Sequence, residues 1–427
     1  MIEQMKNVKF ILHAAITTIF CVFTGFFLML LVSLCPVESI EKNVTLSAYT
    51  LEKEGEWPYI ESINGMQQKD NFTDALMMTV AANDRENGIM DQALSCEFLM
   101  KGSEDPYHSF YMYYNRPGEP KDDFVTVAYP RYWHGYLVVL KPLLMFFRYY
   151  QIRKIFLITQ ILLVLAVIFG MIRRKMYRYI AAFVLSVVLL SPLVIAQSLQ
   201  FSWIYYVMLI ACIILLFFSQ RWKREESFFI FFAAIGCMTS FIDLLTAPLL
   251  TLGFPLIFYL CMNGQENAYQ ALIKTCRLVL CWGIGYAGMW AGKWIIASVF
   301  TDHNVITSAI EALKLRTSLA DIYGKPLLYT DILRKNWGFI SESPIWPVCA
   351  MIMAAGLCAA CFQKRFRQIG TAVCSYGVLI VIPFIWFYLA GNHTELHAYF
   401  AHRIYVVSFF AGMSLFLSCI RIKKTEK

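Results

Sequence analysis

The residues best suited to chemistry in this chain are ionisable side chains placed in or beside long apolar stretches. Asp243 stands in SFIDLLTAP and Lys293 in GYAGMWAGKW. Arg131, His134 and Lys141 punctuate YPRYWHGYLVVLKPLL, and Glu395, His397, His402 and Arg403 fall in the segment GNHTELHAYFAHR and just around it. Withdrawing such groups from water is expensive, so each is by default a functional candidate whose partner or pathway has to be named. Each also has an ordinary explanation: Lys293 can snorkel to an interface, the His residues can be interfacial, and Asp74 can cap a helix. The case for function rests on the set.

The elements that must position these residues are membrane helices. Hydrophobic residues make up 59% of the 427, charged residues 15%, and mean hydropathy is +0.55, a composition for which a bilayer is the natural solvent. Runs able to cross about 30 Å of hydrocarbon are expected near residues 9–34, 155–172, 179–198, 201–219, 228–243, 244–262, 276–299, 344–362, 370–390 and 401–420. The first is too long for a removable signal peptide and reads as an uncleaved anchor. Basic clusters at Lys6 and Lys9, Arg173 to Arg178, Arg221 to Arg224, Lys274 and Arg277, Lys364 to Arg367, and Arg421 to Lys424 mark the cytoplasmic side, with both termini on it. This agreement requires the segment from Trp133 to Phe147, about 14 apolar residues broken by Lys141 and Pro142, to dip in and return; as a short crossing it would raise the count from ten to eleven. Arg148, Arg153 and Lys154 then lie outside, against the rule.

The fold class is therefore an all-α polytopic membrane protein of about 10–11 helices with a large first extracytoplasmic loop. Its expected divisions are a first membrane helix (1–34), the loop (35–132), a re-entrant or short membrane segment (133–154), a bundle (155–300), a second outer segment (301–343) and C-terminal membrane helices (344–427). The loop carries 17 Asp and Glu against 8 Lys and Arg, whereas the remainder is basic. Within it, residues 74–95 read as one amphipathic helix lying on the membrane surface, with Thr73 or Asp74 as its cap, and 101–130 read as irregular chain. Topology accounts for the net charge of +8, and no nucleic-acid motif is present. The thirteen Cys include a single CxxC spacing, Cys358 to Cys361 inside the expected span 344–362, and no second pair to make up a zinc ligand set, which argues against a zinc site. On this topology Gln197, Gln200, Asp243, Lys293, Glu395, His397, His402 and Arg403 join Arg131, His134 and Lys141 on the outer side. A substrate site open to the outside explains that one-sidedness; a transporter would hold ionisable groups near the midplane.

Two stretches, NFTDALMM at 71–78 and YPRYWHGYLVVLKPLL at 129–144, carry a family resemblance. A first span, a long outer loop with an early Asp, and an aromatic, His or Lys, Leu motif entering the membrane resemble the GT-C superfamily of membrane glycosyltransferases. RYWHGY and HAYFxxR also resemble uncharacterised multi-span proteins of Gram-positive surface-polysaccharide gene clusters. Two departures stand out: the loop Asp is not part of an Asp-Glu pair, and His134-Gly135-Tyr136-Leu137 replaces a His-Pro-Pro-Leu run. The resemblance implies a plasma-membrane enzyme that transfers a sugar from a polyprenyl-phosphate donor to a cell-envelope glycan acceptor. Asp74 would be the general base, with Asp84 as runner-up. Arg131, Lys293 and Arg403 would hold the donor phosphate. Tyr132, Trp133, His134, Asp243, His397 and Tyr399 would contact substrate. No metal ligand is assigned, and the need for a divalent metal stays open. The competing readings are a flippase, transporter or polymerase component for lipid-linked sugars, and a non-catalytic assembly protein whose acidic loop binds a partner.

Overall fold

The computed structural model describes residues 2–83, 88–116, 118–264 and 267–421, with side chains from residue 8 onward. Helix dominates. The first helix, α1 (Ile2–Val32), leads into the loop, which opens with α2 (Val37–Glu54) and the hairpin β1 (Tyr59–Ser62) and β2 (Gly65–Gln68). Then come α3 (Asn71–Ala82), α4 (Gly88–Ser95), β3 (Phe98–Lys101), α5 (Pro106–Asn115) and β4 (Phe124–Val127). Both strand pairs are antiparallel, with Tyr59 opposite Gln68 and Phe98 opposite Val127.

The loop is more structured than the sequence suggests. In place of one surface helix over 74–95 there are two, and α3 is buried along nearly its whole length. Asp70, rather than Thr73 or Asp74, caps it, its carboxylate accepting from Thr73 N–H at 2.8 Å. The supposedly irregular 101–130 contains α5, capped by Asp105 through His108 N–H, and strand β4. An amphipathic pattern identifies an apolar face but not what covers it; here α2 and α5 pack on α3, and the Tyr107 hydroxyl donates to Leu51 O at 2.8 Å.

After the loop, α6 (Leu137–Phe146) is followed by α7 (Tyr149–Arg173), α8 (Tyr177–Leu189), the single turn α9 (Pro192–Ile195), α10 (Leu199–Phe218), α11 (Glu226–Ile242), α12 (Leu249–Met262) and α13 (Ala268–Phe300). The short helices α14 (Val305–Arg316) and α15 (Tyr329–Ser341) precede α16 (Ile345–Phe362) and α17 (Phe366–Leu389), and α18 (Gly391–Leu396) and α19 (Ala398–Ala401) lead into α20 (Tyr405–Cys419). Among the described residues, six stretches are long and apolar enough to cross a membrane: Val8–Val32, Tyr149–Arg173, Leu199–Arg221, Ile345–Phe362, Phe366–Leu389 and Ala398–Cys419. They coincide with six of the ten expected crossings. Three of the others fall on the shorter apolar helices α8, α11 and α12, and the last on α13, which is long but less apolar. Outward faces of these helices leave large apolar side chains bare, among them Phe20 (70% exposed) and Phe23 (64%), which a bilayer accommodates and water does not.

The most extensive packing joins α13 to α11. Their backbones touch: a Cβ at Gly285 would lie 2.0 Å from the Ala233 carbonyl oxygen, and one at Gly236 would lie 2.1 Å from that of Trp282. Small residues permit this approach, which membrane helices use because no hydrophobic force drives them together within lipid. The bundle has two distinct ends. At one, Arg174 Nη2 donates to Ser219 Oγ at 2.8 Å, Arg178 Nη1 to Leu417 O at 3.2 Å, and Arg365 Nε to Cys419 O at 3.3 Å. The other carries the loop. There α6, about 15 Å long at 1.5 Å per residue, is half the length a crossing needs. Its N-terminal side meets the end of α11 (Gly135 N–H to Phe241 O, 2.8 Å), and its C-terminal side meets α2 (Asn43 Nδ2 to Leu144 O, 2.8 Å).

Candidate active site at the loop-bearing end

The site is built on α3. Asp70 and Asp74 are one helical turn apart, so they project from one face, and both are fully buried. Each makes a different connection. The Asp74 carboxylate accepts from Leu199 N–H (2.9 Å) and Gln200 N–H (3.1 Å), the free donors at the start of α10, and from the Tyr149 hydroxyl. An anion at a helix N-terminus is stabilised by unsatisfied N–H groups and by the helix dipole, so Asp74 fastens the loop to the bundle. Burial raises its pKa to about 6, while the Tyr149 hydroxyl, the Arg153 charge and the two N–H groups act against the rise.

Beneath Asp74 lies an ion-pair network. Arg153 Nη1 donates to both Glu54 oxygens (2.7 and 2.9 Å), and its Nη2 to Asn71 Oδ1 (2.9 Å) and the Tyr149 oxygen (2.6 Å). Lys69 Nζ adds a 2.6 Å bond to Glu54. Burial works to raise the Glu54 pKa, but Arg153 and Lys69 overcome it and hold the carboxyl at about 2. Arg153, the residue that strained the charge rule, is thus an internal counter-ion for the loop.

Asp70 faces another way. Its Oδ2 accepts from the hydroxyls of Thr73 (2.9 Å) and Tyr399 (3.0 Å), and both of those residues line a cavity of about 460 Å³. Trp57 and Phe72 stack at 5.3 Å and form an aromatic wall with Tyr399; Phe339, Gln68, Lys335 and His397 are also in the lining. Burial, then the neighbouring Asp74 charge, push the Asp70 carboxyl up to about 7. His397 is held neutral, at about 2, by burial and then by His393, Arg316 and Lys335. Behind Tyr399, Arg403 donates from Nε to Leu190 O (3.1 Å) and from Nη1 to Tyr399 O (3.2 Å), and its guanidinium lies 4.6 Å from the Phe201 ring centre. Its Nη2 is buried without a hydrogen-bond partner among the described residues. A buried cation held by carbonyls and a ring, with a donor to spare, is suited to receive an anion.

The remaining candidates form a second group, around the 129–136 segment. His134 has a left-handed backbone (φ 54) and is held by the Tyr136 hydroxyl (2.9 Å) and Tyr129 O (3.0 Å). Trp133 Nε1 donates to Met289 O (2.7 Å), and Lys293 Nζ donates to Leu94 O (2.7 Å) at 5.5 Å from the Trp133 ring centre. Arg131 donates to Ser308 Oγ (3.0 Å), and Tyr132 packs against Trp290. Asp243 accepts from Thr246 N–H with both oxygens, at 3.1 and 2.9 Å, and so organises the α11–α12 turn. These contacts place Lys293 and Arg131 on the α13 side and Arg403 on the Asp70 side, so the three expected phosphate ligands are split between two groups. Asp84 lies outside the described residues.

Asp70, Glu54, Tyr149 and Arg153 are the residues that motif reading passed over. The signal for Asp70 was its position four residues before Asp74 in KDNFTD, which puts two carboxylates on one helical face. Among the described residues, two groups bring three ligand-type atoms within 4.8 Å of one another: Glu56, Asp105 and His108, and Asp91, Glu97 and His303. In the first, Asp105 already caps α5 and bonds His108 Nδ1 at 2.6 Å. Comparison of the chain with known protein families, curated proteins and solved structures finds no match.

Proposed function

We propose that the protein is a membrane glycosyltransferase that moves a sugar from a polyprenyl-phosphate donor to a cell-envelope polysaccharide or glycopolymer on the outer face of the plasma membrane. The observation that carries this reading is the juxtaposition of the buried Asp70 carboxyl with an aromatic, hydroxyl-bearing cavity and the half-partnered Arg403. Aromatic faces such as Trp57 and Phe72 suit sugar rings, and Gln68 and Thr73 suit their hydroxyls. Asp70, more than Asp74, has the attributes of the base: a pKa of about 7 and hydroxyl partners that reach the cavity. As the acceptor oxygen attacks the anomeric carbon, the bond from that carbon to the phosphate oxygen breaks. The acceptor proton passes to Asp70 through a cavity hydroxyl, while Arg403 supplies positive charge for the departing phosphate. A hollow of about 550 Å³, almost wholly apolar and lined by Val139, Phe156, Trp203, Phe231 and their neighbours, has the character needed for a prenyl chain.

The test is sugar transfer by purified protein in lipid nanodiscs supplied with polyprenyl-phosphate sugar and acceptor glycan. Asp70→Asn is expected to lower the rate by about 10²-fold or more in a protein that still folds cooperatively, in line with the contribution of a positioned base. Transfer by Asp70→Asn at the parent rate would remove Asp70 from the chemistry.

A further inference from the structure

At the end of the bundle away from the loop, the turn from α7 to α8 encloses a hollow of about 370 Å³. Its charged lining consists of Arg173, Arg174, Lys175 and Arg178, with no carboxylate among the lining residues. We propose that this hollow is a binding site for the phosphate of an anionic phospholipid, independent of the loop-end chemistry.

The charge rule explains why cations gather at this end, but not why four converge on one concavity. Arg221, Lys223 and Arg224 satisfy the same rule from outside its lining. Two of the guanidinium groups are oriented by helix ends: Arg174 donates to Ser219 Oγ (2.8 Å), and Arg178 to Leu417 O and Ile420 O (3.2 and 3.3 Å). Arg173 lies 5.5 Å from the Phe217 ring centre. Among the described residues, none of the four cations is in an ion pair with a carboxylate. Lys175 has a left-handed backbone (φ 57), a conformation a non-glycine residue adopts at a cost, and this sharp turn brings Lys175 and Arg178 to the same hollow. Burial, then the adjacent Arg173, lower the Arg174 pKa, a crowding of like charges that a bound anion relieves.

Lipid is the source the surroundings favour. The lining itself is mostly polar, but beside it Phe169 and Ile172 at the end of α7 and Tyr177 at the start of α8 leave large apolar side chains exposed. Basic pockets between such helices hold lipid headgroups, and Arg offers a two-pronged match to phosphate oxygens. A nucleotide or free phosphate would use the charges but not the apolar surface beside them.

Native mass spectrometry of the full chain in phosphatidylcholine nanodiscs containing graded phosphatidylglycerol tests the site. Each cation near an anionic headgroup is worth roughly fivefold, so Arg173→Gln, Lys175→Asn and Arg178→Gln combined are expected to weaken phosphatidylglycerol retention by roughly a hundredfold. Lys175→Asn alone, which suits the left-handed turn, is expected to weaken it about fivefold, so the test survives poor folding of the triple variant. The paired change Lys223→Gln and Arg224→Gln should leave retention unchanged. Undiminished retention by the Lys175→Asn variant, or an equal loss in the control pair, would overturn the site. Displacement of phosphatidylglycerol by millimolar inorganic phosphate would overturn the lipid as its source.

Discussion

The two ends of this bundle handle charge in opposite ways. At the loop-bearing end, Glu54, Lys69, Asp70, Asp74, Arg153 and Arg403 are largely withdrawn from solvent and tied to one another, to helix termini or to tyrosines. At the other end, Arg173, Lys175, Arg178, Arg221, Lys223 and Arg224 stay mostly open to solvent, and Arg178 finds only carbonyls and a ring. The same residue types serve topology at one end and architecture at the other. The difference is supplied by a folded loop, which removes water from one set and leaves the other wet.

If that contrast is right, the largest effect should come from breaking the buried network. Arg153→Met leaves Glu54, Asn71 and the Tyr149 oxygen without their shared donor, and should destabilise the protein by about 3–5 kcal/mol, the range for stripping one partner from a buried ion pair. Thermal unfolding in detergent checks this; an unchanged melting temperature would mean the loop is held by other contacts.

A smaller, graded effect concerns pH. Because the Asp70 pKa is raised from its ordinary value to about 7, the native state binds a proton that the unfolded chain releases. The stability it contributes is fully present below about pH 4 and is lost as pH rises through about 7. Glu54, held at about 2, does the reverse: its contribution is present above about 4.5 and is lost as pH falls toward 2. On the proposed mechanism, in which Asp70 accepts the proton, transfer should rise through about pH 7. Asp70→Asn should make the stability curve less steep between pH 4 and 7, leaving the slope that Asp74 supplies, without altering the acid limb below 4; unfolding followed across pH for both proteins would show it. The smallest effect is expected at the opposite end, where Lys223→Gln with Arg224→Gln should change stability by no more than about 0.5 kcal/mol, since neither is in a buried pair. A loss comparable to that of Arg153→Met would erase the contrast between the ends.

Much of the bundle was legible because hydrocarbon thickness demands long apolar runs, and such runs stand out in a sequence. The loop was harder for a physical reason. A pattern such as that of residues 74–95 says which face is apolar, but α3 is covered on several faces by residues distant in sequence, and no local signal reports that. Asp74 was legible as an important carboxylate. Its engagement with Leu199 and Gln200 was not, because the donors are backbone groups more than a hundred residues away. His134 and Arg131 were legible as candidates from their place in an apolar segment, yet the division of the cationic candidates between two groups depended on where α13 and α20 come to rest. Arg153 is the instructive case: a violation of the charge rule, read from sequence as a cost, is where the loop finds its counter-ion.

Helix α13 has 33 residues, about 50 Å of rise, against roughly 30 Å of hydrocarbon. Its surplus has to tilt or protrude. Near one extremity Lys274 approaches Glu225 at 4.0 Å, and toward the other Lys293 and Trp294 grip the loop through Leu94 O and Arg131 O. With its middle locked to α11 by backbone contact, this helix is braced at its centre and near both ends. Any change in its lean is carried to the loop through Leu94 and Arg131.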